Sequence, residues 1–261
     1  MKRRTKRGLD WLGGLMIAGA LAAIATAALL AQQLQPPARD PETLCARDAS
    51  PAAHVVILID ATDALEPRHR RLATAAVESE RARLKTGDRL TLATLSDRDP
   101  REPTILFSKC DPGDGGDANP WFQNGAQLDQ RWREEFGEPL DAALARAVKG
   151  RKAKASPLVE AIGALAREPT FAATSARRLT IVSDMMENQP GVFSLYAAGA
   201  TFASFRGGVA GVRPPPDLAD VNVRIVQLDR PDRDARQLEA RTEFWGPYFD
   251  ATGAAALAWE P

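Results

Sequence analysis

Oxygen-bearing side chains follow directly after two segments that have the pattern of β-strands. Residues 55–59 are followed by Asp60, and residues 178–183 are followed by Asp184. Carboxylate and hydroxyl oxygens are the ligands that a hard divalent cation such as Mg²⁺ prefers. Two aspartates that faced each other would also repel without a cation between them. These residue types predict a site for Mg²⁺ or another divalent cation, with candidate ligands Asp60, Thr62, Ser156 and Asp184, and Asp63 as an additional candidate.

The same side chains have an alternative role as helix caps. Thr62 or Asp63 can cap a helix that starts near Glu66, because short oxygen-bearing side chains accept hydrogen bonds from the first backbone amides of a helix. Ser156 precedes Pro157, and proline is favoured at the first helical position. Capping explains these residues singly, but it does not explain why two strands both end in aspartate.

Strand-like and helix-like segments alternate after residue 53, which favours a three-layer α/β domain with a mostly parallel, doubly wound sheet. In such sheets, sites form outside the carboxyl ends of the strands. The hydrophobic pattern predicts strands over 53–60, 89–95, 104–108, 178–183, 221–228 and 254–259, and helices over 66–85, 127–149, 157–167, 194–204 and 232–250.

Composition excludes several classes of function. The chain has 261 residues, with 34 basic and 34 acidic side chains, so there is no general electrostatic case for a nucleic-acid partner. Two cysteines and two histidines lack the paired spacing of a structural zinc site. Neither His54, at the start of a strand, nor His69, among arginines, suits a catalytic triad.

The amino end predicts export through a membrane. A basic flank at 1–10 precedes an uncharged apolar stretch at 11–31, which is about the 20 residues that a helix needs to cross a bilayer. The flank places the amino terminus in the cytoplasm, and the sequence therefore predicts a single-pass bacterial inner-membrane protein with a linker at 32–44 and a periplasmic domain at 45–261. The alternative is secretion after cleavage of a signal peptide at the small residues 25–27.

An exported chain permits a disulfide bond. Both cysteines lie beyond the apolar stretch, Cys45 before the first core strand and Cys110 after the segment 104–109. Because disulfides persist in oxidising compartments, we predict that Cys45 and Cys110 are bonded to each other.

An Asp-x-Thr after a hydrophobic first strand, a Ser ahead of a middle helix and a Ser-Asp after a later strand resemble a von Willebrand factor A (vWA) domain with its metal-ion-dependent adhesion site. The resemblance assigns Asp60 and Thr62 to the first loop, Ser156 to the second and Asp184 to the third. Ala64 stands where the family has a second Ser, so the adhesion site is degenerate. The resemblance implies a non-enzymatic module that binds another protein, whose acidic side chain completes the metal shell.

Two other functions remain open. A phosphohydrolase of the haloacid dehalogenase type also places a nucleophilic aspartate after its first strand, here Asp60, and a Ser or Thr after its second, here Ser96. Thr62 then stands where that family has its general acid, whose loss removes roughly 10²–10⁴-fold in rate. The second alternative is a structural domain whose metal site has decayed, which Ala64 favours.

Overall fold

The computed structural model describes residues 4–33, 37–95, 99, 102–119, 123–150 and 153–260. The chain divides into two compact units, residues 1–38 and residues 39–261. The first unit contains one long helix, α1 (Arg4–Gln33). The predicted membrane segment, 11–31, lies in this helix, and five of its side chains (12, 27, 28, 30 and 31) fall outside the described part. Over the described residues, no helix combines the length and the apolar character needed to cross a membrane.

The second unit is built on a six-stranded sheet with the order β3-β2-β1-β4-β7-β8. Every neighbouring pair is parallel except β2 and β3, which are antiparallel. This confirms the predicted α/β class and the mostly parallel sheet. The strands are β1 (Ala53–Ile59), β2 (Arg89–Thr94), β3 (Thr104–Cys110), β4 (Ala176–Ser183), β7 (Val221–Gln227) and β8 (Ala256–Glu260), and a separate small hairpin consists of β5 (Asn188–Gln189) and β6 (Phe193–Ser194).

Helices cover both faces of the sheet. Alternate residues of a strand point to opposite faces, so Val56 and Leu58 of β1 belong to one core cluster, whereas Val55 and Ile57 belong to the other. The domain therefore has three layers. The helices after α1 are α2 (Pro67–Arg81), α3 (Gly125–Trp132), α4 (Glu138–Ala147), α5 (Leu158–Ala166), α6 (Pro169–Ala173), α7 (Phe202–Gly207), α8 (Asp234–Glu239) and α9 (Gly246–Thr252).

The predicted helix over 194–204 is wrong. Its first residue belongs to β6, and the helix of this region, α7, starts only at Phe202. Gly199 has a φ of 68°, a left-handed conformation that interrupts a right-handed helix. Thr201 then starts α7 with a reciprocal capping box, in which its side chain and that of Ser204 each accept a backbone N–H of the other residue.

Two long predicted helices are present but broken. Residues 127–149 divide into α3 and α4, joined by the π-helical turn Arg133–Gly137, and residues 232–250 divide into α8 and α9, joined by Ala240–Trp245. A proline follows each π turn, Pro139 and Pro247. Proline lacks the N–H that a regular ladder needs, which explains why the helical register changes ahead of it.

The structure confirms the predicted disulfide between Cys45 and Cys110. Cys110 ends β3, and its N–H donates to the carbonyl of Thr43 at 2.7 Å. The covalent bond and this hydrogen bond together attach residues 43–45, ahead of β1, to the outer edge of the sheet.

Candidate functional site

Asp60 is placed at the carboxyl end of the sheet by β1, and its N–H donates to the carbonyl of Val182 in β4 at 2.9 Å. The residue is only 5% exposed. One carboxylate oxygen accepts from the N–H and the hydroxyl of Thr62, at 3.1 and 2.6 Å. The other accepts from the hydroxyls of Ser156 and Ser183, at 3.0 and 2.8 Å. An ionised carboxylate has about four acceptor positions, so these donors occupy its full capacity.

Ser156 is held beside Asp60 by a short antiparallel bridge to Asn188. The N–H of Ser156 donates to the carbonyl of Asn188 at 2.8 Å, and the N–H of Asn188 donates back at 3.0 Å. Ser156 does not cap α5, since its hydroxyl donates to Asp60 and the backbone N–H of Val159 donates to the Glu187 carboxylate at 2.9 Å. The capping alternative is therefore wrong for Ser156.

The capping alternative is also wrong for Thr62 and Asp63. The residue at the cap position of α2 is Glu66, which makes no side-chain capping bond. Thr62 donates its hydroxyl to Asp60, and Asp63 accepts from the guanidinium of Arg233 at 3.0 Å. Both side chains belong to the cluster at the strand ends.

Asp184 follows β4 and is 7% exposed. One carboxylate oxygen accepts from the N–H of Met186 at 3.1 Å, and the other lies 3.4 Å from Nε of Arg230 and 3.3 Å from Nη1 of Arg233. Burial and the nearby charge of Asp60 raise the pKa of Asp184 to about 7, although both arginines oppose the rise. The protonation state of Asp184 therefore changes near neutral pH.

The two arginines come from the loop after β7, a third strand end. Arg233 shares its Nη1 among Asp63, Asp184 and the hydroxyl of Tyr196, the last at 2.7 Å, and its guanidinium lies 5.4 Å from the centre of the Tyr196 ring. Arg230 also donates to the carbonyl of Ala64 at 3.2 Å. Two guanidinium groups thus stand against the three carboxylates of Asp60, Asp63 and Asp184, and the cluster is close to neutral when Asp184 is protonated.

The loop that carries Asp184 is rigidly held. Met185 has a φ of 59°, a left-handed conformation that costs a non-glycine residue about 1–2 kcal/mol. Its N–H donates to the hydroxyl of Ser183 at 2.8 Å, and its carbonyl accepts from the Trp245 indole at 2.7 Å. Gln237 donates to the carbonyl of Asp184 at 2.9 Å. These bonds maintain the strained loop and fix the position of the carboxylate.

Glu187 lies beneath the cluster and is 1% exposed. Its carboxylate accepts from the N–H of Val159 and from the side chain of Gln189, the latter at 3.0 Å. Burial raises the pKa of Glu187 to about 8, so this side chain is mostly protonated at neutral pH. It adds little negative charge to the cluster there.

A cleft of about 210 Å³ opens over the cluster. All the predicted candidates except Asp60, which lies below, contribute to its walls. The lining residues are Thr62, Asp63, Ala153, Ala155, Ser156, Asp184, Met186, Asn188, Tyr196 and Arg233. The structure therefore brings together all five predicted site residues, and it adds Ser183, Arg230, Arg233 and Tyr196.

These residues do not fit a resident divalent cation. The acceptor positions of Asp60 are filled by protein donors, and Oδ2 of Asp184 faces two guanidinium groups. Neutral hydroxyls are poor ligands without a carboxylate to offset the cost of removing water from the ion. Within the described ranges, no group of three or more His, Cys, Asp or Glu side chains is arranged to hold a metal.

Comparison with known proteins assigns no family. No family model matches the sequence, and no curated protein matches it. Among solved structures, the chain is similar to the ArnB paralog VWA2 from Sulfolobus acidocaldarius, with a TM-score of 0.39 and 9% identity over 81% of this chain and 42% of that one. This chain thus spans less than half of the length of that protein, and likeness at this level does not establish membership of the vWA family.

Proposed function

We propose that the chain is a non-enzymatic, vWA-like module that binds another protein at the strand-end cleft, where Arg233 replaces the cation of an adhesion site. The observation that supports this most is the pairing of Asp184 with Arg230 and Arg233 at a cleft where protein donors already occupy the Asp60 carboxylate. A guanidinium supplies the positive charge that a partner carboxylate needs, and a hydrogen bond between the two groups is charge-assisted.

Arg233 has the exposure that this role needs. Its side chain is 26% exposed, and its contacts to Asp63, Asp184 and Tyr196 all involve Nη1. In the described structure Nη2 makes no hydrogen bond, so one donor group remains for a partner. Protonation of Asp184 near pH 7 removes a competing charge, and we expect a partner carboxylate to bind more tightly as the pH falls from 8 to 6.

The proposal includes export and anchoring in the bacterial inner membrane through residues 11–31, with the domain in the periplasm. The disulfide supports an oxidising compartment, because cytosolic proteins rarely keep such bonds. The phosphohydrolase alternative has no comparable support. Asp60 is saturated with hydrogen bonds. The place of the general acid is occupied by Thr62, whose hydroxyl donates to Asp60, and Ser96 lies outside the described residues.

Site-directed photo-crosslinking tests the proposal. A crosslinking amino acid in place of Tyr196, at the rim of the cleft, is introduced into the tagged full-length chain, and adducts are compared in EDTA and in Mg²⁺. We expect one protein adduct that forms in EDTA, is lost with Arg233→Ala, and persists with Arg131→Ala, an exposed arginine on α3. An adduct that forms only with Mg²⁺, or that survives Arg233→Ala, would contradict the proposal.

A further inference from the structure

A groove of about 860 Å³ runs between the outer strand of the sheet, β3, and the helix α4. Its floor is apolar, from Leu106 and Phe107 on the strand, and the helix contributes Pro139 and the exposed small side chains Ala142 and Ala145. Small side chains on the helix leave room for another chain beside the strand. The remaining lining residues are Glu42, Thr43, Ser108, Lys109, Arg146 and Lys149.

The outer edge of β3 presents backbone groups to this groove. Cys110 donates its N–H outward to Thr43, and the carbonyl of Leu106 accepts from Nη2 of Arg146 at 3.2 Å. Outward-facing residues alternate along an antiparallel strand, so Ser108, between these two, also directs its N–H and C=O away from β2. No hydrogen bond from the described chain reaches either group of Ser108 on that side. An edge of this kind is a template for an added strand.

The charge around the groove favours an acidic occupant. Lys109 donates to the carbonyl of Glu135 at 2.9 Å and Arg146 to that of Leu106, and Lys149 is exposed. None of the three forms an ion pair with a carboxylate of the described residues. Glu42 is the one acidic side chain among the lining residues described. The groove therefore has an apolar floor with an excess of positive charge at its walls.

We propose that this groove binds an extended, acidic segment of a partner protein, which adds to the edge of β3 as a further strand. Backbone hydrogen bonds to β3 supply affinity in this mode, and alternate side chains of the segment supply specificity. Apolar side chains of the segment contact the floor, and its carboxylates pair with Lys109, Arg146 and Lys149. The site is separate from the strand-end cleft and does not depend on how that cleft works.

Fluorescence polarisation with the full-length chain tests the inference. The probe is a labelled peptide of about eight residues that alternates valine and glutamate, which in extended form matches the length of β3. The control peptide alternates valine and lysine. We expect the glutamate peptide to bind saturably and the lysine peptide not to bind. Ala142→Trp fills the groove from an exposed position and should weaken the affinity for the glutamate peptide by about tenfold or more.

Charge-reversal variants test the part played by the basic side chains. Lys149→Glu should weaken binding by about threefold to tenfold because it replaces an attraction with a repulsion, whereas Lys85→Glu, an exposed lysine that does not line the groove, should leave it unchanged. Arg233→Ala should also leave it unchanged, which separates this site from the proposed function. Equal binding of both peptides, or binding insensitive to Ala142→Trp, would overturn the inference. A third outcome would also overturn it: the peptide does not bind, and Ala142→Trp dissociates an oligomer that sedimentation detects for the wild type. The groove would then be covered by a second copy of the chain.

Discussion

Replacing Glu187 by Gln should make the domain more stable at neutral and alkaline pH and leave it nearly unchanged in acid. Glu187 is buried at 1% exposure, and its pKa is raised from 4.5 to about 8 by burial. The folded protein therefore holds a proton that the unfolded chain releases. A glutamine keeps the carbonyl oxygen that accepts from Val159 but has no proton to lose.

The sign and the size follow from proton linkage. Between pH 4.5 and about 8 the folded state binds more protons at Glu187 than the unfolded state, so wild-type stability falls as the pH rises, by at most about 1.4 kcal/mol per pH unit. The contribution is fully present below pH 4.5 and is lost as the pH rises through the folded pKa. From pH 5 to pH 7 the expected loss at this residue is roughly 2–3 kcal/mol. The variant lacks this loss, so its stability relative to wild type should rise by that amount.

The assay is urea denaturation of residues 39–261 at pH 5, 6, 7 and 8, with tryptophan fluorescence as the signal of unfolding. These residues form a compact unit that contains the whole sheet and the disulfide. Glu160→Gln is the control, since Glu160 lies in the first turn of α5 and is partly exposed. It should show no such trend. A stability difference between wild type and Glu187→Gln that is flat across this range would refute the reasoning, because it would mean that Glu187 is not held protonated.

Three further outcomes are expected. Ser156→Ala leaves Asp60 without one of its donors in a buried site and should lower the free energy of unfolding by about 1–3 kcal/mol. Ser50→Ala, at an exposed position, should not lower it. Equal urea midpoints for Ser156→Ala and the wild type would contradict this. Removing the disulfide with Cys45→Ser and Cys110→Ser should cost up to about 4 kcal/mol, because the bond closes a loop with a sequence separation of 65, and a loss near zero would show that the loop is constrained without it. Arg233→Ala should raise the pKa of Asp184 above about 7, measured by carbon NMR titration of its carboxyl group, and a pKa that is unchanged or lower would contradict the pairing.

The sequence predicted which side chains lie together, because strand ends in a parallel sheet converge. Asp60 and Asp184 each follow a buried apolar run, and β1 and β4 are neighbours in the sheet. The composition of the loops alone did not distinguish caps from cluster members. That distinction depends on the bridge between Ser156 and Asn188, which places a hydroxyl against Asp60 from a residue distant in sequence.

The arginines were the main omission. Arg230 and Arg233 lie in the loop after β7, which ends at Gln227. Side chains near the end of this third strand could have been considered together with Asp60 and Asp184. Their pairing with Asp184 changes the chemistry of the site from a candidate cation site to an internally neutralised one. The breaks in the two long helices were not predicted because buried apolar side chains continue through both π turns, among them Phe136 and Phe244.

Calorimetric titration of Mg²⁺, Mn²⁺ and Ca²⁺ into residues 39–261 tests the central claim most directly, with Asp184→Ala and Arg233→Ala measured alongside. The account predicts no saturable binding to the wild-type domain at millimolar cation, since Arg230 and Arg233 already neutralise Asp184 and protein donors fill Asp60. Stoichiometric binding to wild type that Asp184→Ala abolishes would contradict it and would establish the cation site that the residue types first indicated.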